Sequence, residues 1–387
     1  MNSIKRVVLM ANNYDAVGGI TTFVKTIAPG FRDAGFEVEI VTVESVYEDS
    51  KSLFDPSFKH RTGIEKSMPA NRHFRRLKDR LKPAIYVNRF IYKRRQREAS
   101  RNLARLYKSW GRDTVLIITQ VYGAECLING GIKLGNNKGP YVVGMYHDSF
   151  EEAAKGKNIK RLIKCFMDID KFLVLTKIDA DLFREEGFTN VSFIHNPVSI
   201  EAPNRPIKKD NLVVSLGRYH PQKSLDYLIK AWAEIASDFP DWRLEMYGGG
   251  GMQAKLQKLI DELTINDSAR LMGATDQVGK LLGRSSIYAL SSQHEGLPLA
   301  IVEAARFNVP TVAFDCAPGI AELVDHDKSG IIVPRNNVHL LAEGLKQLMS
   351  NHKLCEEMGV AARKKSNEYK VNTIIEKWAG IFDELII

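Results

Sequence analysis

Short apolar runs alternate with amphipathic stretches along most of the chain. Near the N-terminus, the strand-like runs Val7–Met10 and Glu37–Val43 flank a helix-like stretch at 22–34. Further strand-like runs follow at Thr114–Thr119, Tyr141–Met145, Phe172–Leu175 and Val191–Ile194. Apolar strands separated by helices are typical of βαβ units, so this half of the chain predicts a parallel sheet covered by helices.

A proline-rich stretch separates this series from a second one. Pro197, Pro203 and Pro206 are followed by a short polar run, which is typical of a linker. The second series predicts strands at Leu212–Leu216, Arg243–Tyr247, Arg270–Met272, Ile287–Leu290, Thr311–Phe314 and Gly330–Val333. We therefore predict an α/β protein with two doubly wound, Rossmann-like domains, residues 1–203 and 204–370, that face a central cleft.

The last stretch, residues 371–387, carries apolar side chains at helical spacing, among them Ile374, Trp378 and Phe382. Such spacing predicts an amphipathic helix that needs an apolar surface to cover it. We expect this helix to pack back on the N-terminal domain.

Composition narrows the class of protein. The 387 residues are 44% hydrophobic and 26% charged, as in globular proteins. No apolar run approaches the roughly 18 residues of a membrane span. The four cysteines lack any Cys-x-x-Cys spacing, which argues against a disulfide framework or a zinc site. We therefore expect a cytoplasmic protein without a metal centre.

Two glutamates stand eight residues apart in the segment HEGLPLAIVEA, which begins at His294. The segment follows a predicted buried strand, Gly296 permits a tight turn, and Pro298 suits the first turn of a helix. Glu295 is then expected on the loop and Glu303 more than one turn inside the helix. This arrangement excludes the close pair of carboxylates that a glycoside hydrolase places across one bond.

The start of this helix is suited to an anion. Its first backbone N–H groups lack intrahelical acceptors and carry a partial positive charge of about 0.5, which favours a diphosphate. The carboxylates on either side are good acceptors for sugar hydroxyls. We therefore place Gly296, Leu297 and Leu299, together with both glutamates, among the residues that bind a nucleotide sugar. The alternative is that Glu303 is an exposed helix residue and Glu295 an acid of the capping region.

The surrounding segment, SSQHEGLPLAIVEAARFNVPTVAFDCAPGIAELVDHDKSGIIVP at Ser291–Pro334, resembles the donor-binding signature of retaining glycosyltransferases of family 4. The resemblance implies the GT-B fold and a nucleotide-diphosphate sugar as the donor. It also implies that Glu295 contacts the transferred sugar and that Glu303 contacts the ribose. It covers nearly all of the second predicted domain and rests on short motifs in the first.

Two other second-domain segments are similar to those of the same family. In VSLGRYHPQKSLD, which begins at Val214, the resemblance implies that Arg218 and Lys223 clamp the diphosphate. Such cations stabilise the charge on a departing diphosphate, so no metal is strictly required. The glycine run after the strand Arg243–Tyr247 resembles a family loop that places Gly248 near the nucleotide.

In the first domain, the loop after the first strand contains Gly18 and Gly19, which match the family loop that closes over the sugar and phosphate. The G-x-G-x-x-G fingerprint of dinucleotide-binding dehydrogenases is absent. His147 follows the strand Tyr141–Met145, where related transferases have a histidine that contacts the donor sugar. A structural histidine bonded to the backbone is the alternative, and we assign Asn196 no chemical role.

The net charge of +9 is concentrated in one region, because 16 Lys and Arg residues but three acids lie between Lys59 and Arg105. Apolar residues at helical spacing predict two amphipathic basic helices here, inserted in the first domain at about 59–110. The residues expected to face an acceptor or a membrane are Arg72, Arg75, Arg76, Lys78, Arg80, Lys93, Arg94 and Arg95.

Three interpretations of this basic region stay open. It could dock on anionic lipid headgroups, bind an anionic glycan acceptor, or form a solvated basic face. No recognition motif supports nucleic acid as a partner.

Together, these features predict a retaining hexosyltransferase that moves a hexose or N-acetylhexosamine from a UDP-sugar. The acceptor would be a glycan, lipid-linked or anionic polymer in cell-surface polysaccharide synthesis. We expect no further cofactor, and peripheral attachment to the inner face of the cell membrane is an open alternative to a wholly cytoplasmic location. The competing functions are a transferase that uses a GDP- or ADP-sugar and a non-catalytic protein on the same fold that binds an anionic polymer.

Overall fold

The computed structural model describes residues 3–13, 19–45, 55, 57–66, 68, 83–135, 138–156, 158–202 and 208–386. The chain divides into two compact units. The first unit comprises Met1–Pro197 and Ile374–Ile387, and the second comprises Val198–Thr373.

The described residues of the first unit form a parallel sheet of seven strands in the order β3-β2-β1-β4-β5-β6-β7. The strands are β1 Arg6–Ala11, β2 Glu37–Glu44, β3 Lys59–Ile64, β4 Thr114–Ile118, β5 Tyr141–Met145, β6 Lys171–Val174 and β7 Val191–Phe193. The helices are α1 Gly19–Asp33, α2 Pro83–Lys108, α3 Val121–Asn129, α4 Phe150–Lys155, α5 Asn158–Phe166 and α6 Lys177–Glu185.

Burial explains why the central strands of this sheet are apolar. Every residue of β4 and β5 is buried, as expected for parallel strands that helices cover on both faces. Strand β3, with the sequence KHRTGI, lies at the outer edge of the sheet, and its first residues are exposed or half-buried. An edge strand tolerates polar side chains because only one of its long edges is paired.

The basic region differs from its prediction. The sequence predicted two inserted helices at about 59–110. The described part of this region instead supplies β3, which is a strand of the sheet itself, and the single long helix α2. The polar edge strand lacks the apolar run that identified the other strands, so it was missed. The first predicted helix, around 74–81, lies outside the described residues.

The second unit has a parallel sheet of six strands in the order β10-β9-β8-β11-β12-β13. The strands are β8 Leu212–Leu216, β9 Arg243–Tyr247, β10 Ala269–Gly273, β11 Ile287–Leu290, β12 Thr311–Asp315 and β13 Gly330–Pro334. The helices are α7 Leu225–Ile235, α8 Gln253–Glu262, α9 Val278–Arg284, α10 Leu299–Arg306, α11 Pro318–Leu323, α12 Val338–Ser350 and α13 His352–Ser366. The prediction of two Rossmann-like, doubly wound α/β domains is confirmed.

The last helix, α14 Val371–Ile386, contributes its apolar face to the first unit. The ring of Trp378 lies 5.7 Å from that of Phe31 on α1, edge to face. Phe382 stacks on the same ring at 5.7 Å and meets Phe36 at 5.5 Å. These aromatic contacts bury the side chains that the helical spacing singled out.

Strand order places one candidate region in each unit. Strands are added first on one side of β1 and then, from β4 onward, on the other, and the same reversal occurs between β8 and β11. Ligands of doubly wound sheets bind at the carboxyl ends of the strands beside such a reversal. The candidate binding residues are therefore those that follow β8 and β11 in the second unit and those that follow β1, β4 and β5 in the first.

Candidate functional site

The two glutamates lie where β11 passes into α10, as the sequence predicted. Strand β11 ends at Leu290 and α10 begins at Leu299. Pro298 has an extended backbone at the N-cap rather than a place in the first turn, and Glu303 lies within the helix. The loop between the two elements therefore carries Glu295 and leads into a helix start.

Glu295 is held by a cation and a hydroxyl. Its side chain is buried, and its Oε1 atom lies 2.5 Å from Nζ of Lys223. The Ser292 hydroxyl donates a hydrogen bond to the same oxygen at 2.6 Å. A carboxylate removed from water is costly unless it is paired and hydrogen-bonded, and this one is both. The structure thus brings together two predicted site residues from segments 72 residues apart and adds Ser292, which the sequence analysis missed.

The loop after β8 directs Lys223 and Arg218 differently. A Cβ atom at Gly217 would lie 3.2 Å from Cε of Lys223, so the lysine stem runs closely over this glycine. Arg218 is exposed, and it makes no ion pair within the part of the chain that the structure describes. Lys223 is therefore already engaged by a carboxylate, whereas the guanidinium of Arg218 is available to an anion.

The glycine run after β9 packs on this same loop. Gly248 has a φ of 152°, and a Cβ atom there would lie 1.8 Å from the Gly217 carbonyl oxygen. The Tyr219 N–H donates to the Gly249 carbonyl at 2.8 Å, and the buried Tyr219 hydroxyl donates to the Met246 carbonyl at 2.8 Å. The backbones approach so closely that only glycine fits at position 248. Tyr219, which the sequence analysis missed, hydrogen-bonds the loop after β8 to β9 and to the glycine run.

Glu303 has a different environment from Glu295. Burial raises the pKa of the Glu303 carboxyl above its usual value. Burial also raises the pKa of Tyr288, and the nearby charges of Glu295 and then Glu303 add to that effect. Because both carboxylates raise the pKa of the same tyrosine of β11, both lie close enough to this strand to interact electrostatically with it.

The remaining residues predicted at the helix start pack against α11. A Cβ atom at Gly319 would lie 2.4 Å from the Gly296 carbonyl oxygen and 3.3 Å from Cδ1 of Leu297. Leu297 is buried, whereas Leu299 is half-buried as the first residue of α10. The close approach fixes the path of the loop, so the N–H groups that follow it have a defined direction.

In the first unit, His147 follows β5 and is enclosed. Its ring lies 5.0 Å from that of Phe23 on α1, and its Nδ1 atom lies 3.3 Å from Nδ2 of Asn196. An amide nitrogen only donates, so Nδ1 accepts and the ring proton sits on Nε2. Within the described residues, Nε2 is buried and has no hydrogen-bond partner. His147 thus contacts the side chain of Asn196 and not, as the alternative expected, the backbone. Asn196, to which the sequence analysis assigned no chemical role, is the partner of this ring.

Burial lowers the pKa of His147 to about 4. The imidazole is therefore neutral at physiological pH, and its Nε2–H group is a hydrogen-bond donor. Close by in the sheet, the Asn12 N–H after β1 donates to Oε1 of Gln120 at 2.8 Å, and Asn12 Oδ1 is buried without a partner in the described structure. The carboxyl edge of the first sheet thus offers neutral polar groups.

Comparison with known proteins identifies the family. Residues 199–365 match the family described as glycosyl transferases group 1. An uncharacterized glycosyltransferase of Haemophilus influenzae is 33% identical over 290 residues, which cover 73% of this chain and 79% of that protein. The chain belongs to this glycosyltransferase family.

More distant relatives carry more specific names. The poly(ribitol-phosphate) alpha-N-acetylglucosaminyltransferase of Staphylococcus aureus is 27% identical over 241 residues, or 62% of this chain and 49% of that protein. The crystal structure of TarM superposes with a TM-score of 0.80 at 18% identity, covering 98% of this chain and 99% of the other. Pneumococcal GtfA in complex with UDP and GlcNAc gives 0.77 at 12% identity, with 99% of each chain covered. These structural likenesses establish the GT-B fold of the glycosyltransferase.

The remaining predicted residues of this glycosyltransferase fall into two groups. Gly19 begins α1, and a Cβ atom there would meet nothing within 4 Å. Lys93, Arg94 and Arg95 lie on α2. The others, which lie outside the described residues, are Gly18, Arg72, Arg75, Arg76, Lys78 and Arg80.

Among the described residues of the glycosyltransferase, no group of three or more His, Cys, Asp or Glu side chains could hold a metal ion. No helix among these residues is long and apolar enough to cross a membrane.

Proposed function

We propose that this glycosyltransferase is a retaining enzyme of family 4. It would transfer a hexose or N-acetylhexosamine from a UDP-sugar to a glycan, lipid-linked or anionic polymer acceptor in cell-surface polysaccharide synthesis. The observation that carries the proposal is the buried Glu295 carboxylate beside Lys223 at the carboxyl end of β11. The names of the relatives that act on poly(ribitol-phosphate) and poly(glycerol-phosphate), and the UDP complexes of the similar structures, support it.

The diphosphate would be bound by charge and by backbone N–H groups. Arg218 contributes an exposed guanidinium, Lys223 an ammonium group, and the start of α10 the N–H groups around Gly296, Leu297 and Leu299. These groups stabilise the negative charge that develops on the leaving diphosphate, and they require no metal ion to do so. Gly248 lets the loop after β9 pass close to this region.

The two glutamates would bind different parts of the donor. Glu295 accepts hydroxyls of the transferred sugar, because its charge is already balanced by Lys223 and its second oxygen stays available. Glu303 accepts the ribose hydroxyls, and a hydrogen-bond donor there offsets the burial that raises its pKa. Departure of the diphosphate and attack by the acceptor occur on the same face of the sugar, assisted by the phosphate.

His147 would donate from Nε2 to a hydroxyl of the donor sugar. A histidine with a pKa near 4 is a poor general acid at neutral pH, because its ring is then neutral and lacks the extra proton that an imidazolium would donate. Its contribution is therefore orientation of a neutral group. Asn196, which fixes the tautomer, gains a positioning role in this proposal.

The acceptor would be bound by the first unit, where Arg94 and Arg95 supply positive charge on α2. We propose a cytoplasmic enzyme with peripheral access to the inner face of the membrane, where it would meet this acceptor.

A thermal-shift panel with UDP, GDP and ADP tests the donor assignment, because a ligand that binds only the folded state raises the melting temperature. We expect UDP to give the largest shift, Glu303→Ala to weaken it, and Glu295→Ala to retain it while abolishing transfer from UDP-sugars. A larger shift with GDP or ADP would reassign the base. Absence of any nucleotide shift together with polymer binding would favour the non-catalytic protein.

A further inference from the structure

A cavity of about 840 Å³ lies in the first unit between the edge strand β3 and helix α2. Its floor includes residues 60–66, which span β3 and the two positions after it. Its opposite wall is the outward face of α2 around Arg94, Arg95 and Glu98. The volume is in the range of binding sites for small ligands, but the walls are charged rather than apolar.

Cations outnumber acids on these walls. Arg61, Lys66, Arg94 and Arg95 line the cavity, together with Glu65 and Glu98. Arg61 also pairs with the buried Glu39, whose Oε1 lies 2.9 Å from its Nε. Neither Lys66 nor Arg94 makes an ion pair or hydrogen bond within the residues that the structure describes. Two cations from different elements therefore converge on one concave space, and neither is paired with an acid within the described part of the chain.

The cavity is held in shape by close packing beneath it. A Cβ atom at Gly63 would lie 2.8 Å from the Val43 carbonyl oxygen and 3.0 Å from Cγ of Leu103. The Asn102 side chain donates to the Gly63 carbonyl at 2.9 Å, which ties α2 to β3 at the end of the cavity. A wall fixed by backbone contacts presents its charges at constant spacing, which favours a defined ligand.

The cavity is remote from His147 in the same sheet. β3 and β5 are separated by β2, β1 and β4, so four inter-strand steps lie between them. Neighbouring strands are about 4.8 Å apart, which puts the cavity roughly 19 Å from the strand that carries His147. A monosaccharide cannot reach across this distance, whereas a polymer can.

We propose that this cavity is an exosite that binds phosphate or carboxylate groups of an anionic polymer acceptor, several repeat units from the hydroxyl that reacts. The inference rests on the proposed function, because it names the class of acceptor for the same enzyme. Lys66 and Arg94 supply the two unbalanced cations that contact the polymer.

An anionic polymer fits this surface better than a membrane does. The charges line a concave wall, which the single anionic groups of a chain can enter but a flat anionic sheet cannot. Lys93, the neighbour of Arg94 on α2, is exposed but does not line the cavity. The two adjacent cations thus give a matched pair, one inside the proposed exosite and one outside it.

The test measures binding of fluorescently labelled sodium polyphosphate to the full chain, by anisotropy at low and physiological salt. We expect the double variant Lys66→Gln, Arg94→Gln to lose affinity about tenfold or more and Lys93→Gln to stay within about twofold. The wild-type affinity should fall with added salt, and neutral dextran should not compete. Equal losses in both variants would overturn the inference.

Vesicles separate the polymer from a lipid surface. Phosphatidylcholine vesicles with and without phosphatidylglycerol are mixed with the same three proteins in a sedimentation assay. We expect the double variant and Lys93→Gln to sediment alike with the anionic vesicles. Selective loss of vesicle binding in the double variant, with polyphosphate binding unchanged, would overturn the exosite and assign the cavity to lipid headgroups.

Nucleotide binding separates failure of this inference from failure of the proposed function. The double variant should keep the wild-type thermal shift with UDP, and it should lose transfer to long anionic acceptors but not to acceptors shorter than about 19 Å. A wild-type protein that binds polyphosphate through Lys66 and Arg94 without any nucleotide shift would refute the transferase and leave the cavity site standing. Equal losses with short and long acceptors would refute the exosite alone.

Discussion

The two units hold their candidate residues in opposite electrostatic states. In the second unit, Lys223 and Glu295 form a charged pair at 2.5 Å. In the first unit, Asn196 and His147 form a neutral pair at 3.3 Å, and burial lowers the pKa of the histidine to about 4. Burial in the protein is tolerable for a charge only when it is paired, whereas a neutral group needs only its hydrogen bonds.

In the proposed function, the two states serve different parts of a nucleotide sugar. A diphosphate carries charge that grows as it leaves, so its partners Arg218 and Lys223 must be charged and correctly oriented beforehand. The hydroxyls of the sugar are neutral, and the charged acceptor Glu295 and the neutral donor His147 would bind them. The contrast between the units therefore makes the donor assignment testable one end at a time.

The largest effect is expected from Glu295→Gln, which removes the charge and keeps the shape of the side chain. The specificity constant kcat/KM for transfer should fall about 100- to 1,000-fold, because the sugar hydroxyls lose a charged hydrogen-bond acceptor and Lys223 loses its ion-pair partner. Steady-state assays with UDP-sugars measure the rate, and calorimetric titration measures UDP binding.

Glu356→Gln is the control for this variant, since Glu356 is an exposed glutamate of the same unit. It should leave both measurements unchanged. UDP affinity should hold or improve in Glu295→Gln, because Lys223 becomes free to contact phosphate. A parallel loss of UDP affinity and rate would contradict the proposed division between sugar and diphosphate.

The residues of the charged half were singled out from sequence, but their pairing was not. Turn and helix signals around Glu295 are local, whereas Lys223 and Gly248 were singled out through the resemblance to a glycosyltransferase family. Asn196 was assigned no role, because its contact with His147 joins residues 49 positions apart and depends on how β5 and the segment after β7 meet. Tyr219 was missed for the same reason, since its hydroxyl bonds a carbonyl 27 positions away. Ser292 was missed although its contact with Glu295 spans only three positions.

The edge strand shows the other limit of pattern reasoning. KHRTGI has no apolar alternation, so Lys59–Ile64 gave no strand signal and was assigned to a helical insertion. Strand pairing with β2 decides its structure, and pairing is a property of the sheet rather than of the six residues. The central strands, which are buried on both faces, were all found because apolar character is then required at every position.

Gly248→Ala tests whether the donor side of the comparison depends on a fixed loop. A Cβ atom at Gly248 would lie 1.8 Å from the Gly217 oxygen, and the φ of 152° is strained for any other residue. We expect a loss of about 2 kcal/mol or more in the free energy of unfolding. Gly249→Ala is the matched control, because a Cβ atom there meets nothing within 4 Å. Calorimetric melting of both variants gives the comparison, and similar melting temperatures would refute the packing argument.

Asn196→Asp converts the neutral pair into one that can carry charge. A carboxylate accepts from Nδ1–H, so the ring proton should move from Nε2 to Nδ1 and the pKa of His147 should rise from about 4 as the imidazolium gains a partner. Transfer at pH 7 should fall about tenfold, which is roughly 1.4 kcal/mol.

Nitrogen-15 NMR of the histidine rings reports the tautomer directly, and a pH series of rates reports the ionisation. The wild type should show no ionisation of His147 between pH 5 and 8, since its pKa lies below that window. The exposed ring of His352 serves as an internal control that should not respond to the substitution. An unchanged His147 tautomer in the variant would remove the positioning role from Asn196.

The smallest effect is expected from Glu303→Gln, and its sign is stabilising. Burial raises the pKa of Glu303 above its usual 4.5, so the folded state binds a proton more tightly than the unfolded state does. Stability therefore falls as the pH rises from the usual value through the raised pKa. The glutamine variant does not undergo this loss of stability. Its melting temperature should therefore exceed that of the wild type by a few degrees at pH 7, which corresponds to about 1 kcal/mol in the free energy of unfolding. The gap should narrow as the pH falls towards 4.5 and close well below it, where Glu303 is protonated in both states. A glutamine variant that melts lower than the wild type at pH 7 would mean that the carboxylate is already satisfied without a ligand, and the ribose role would then lose its physical basis.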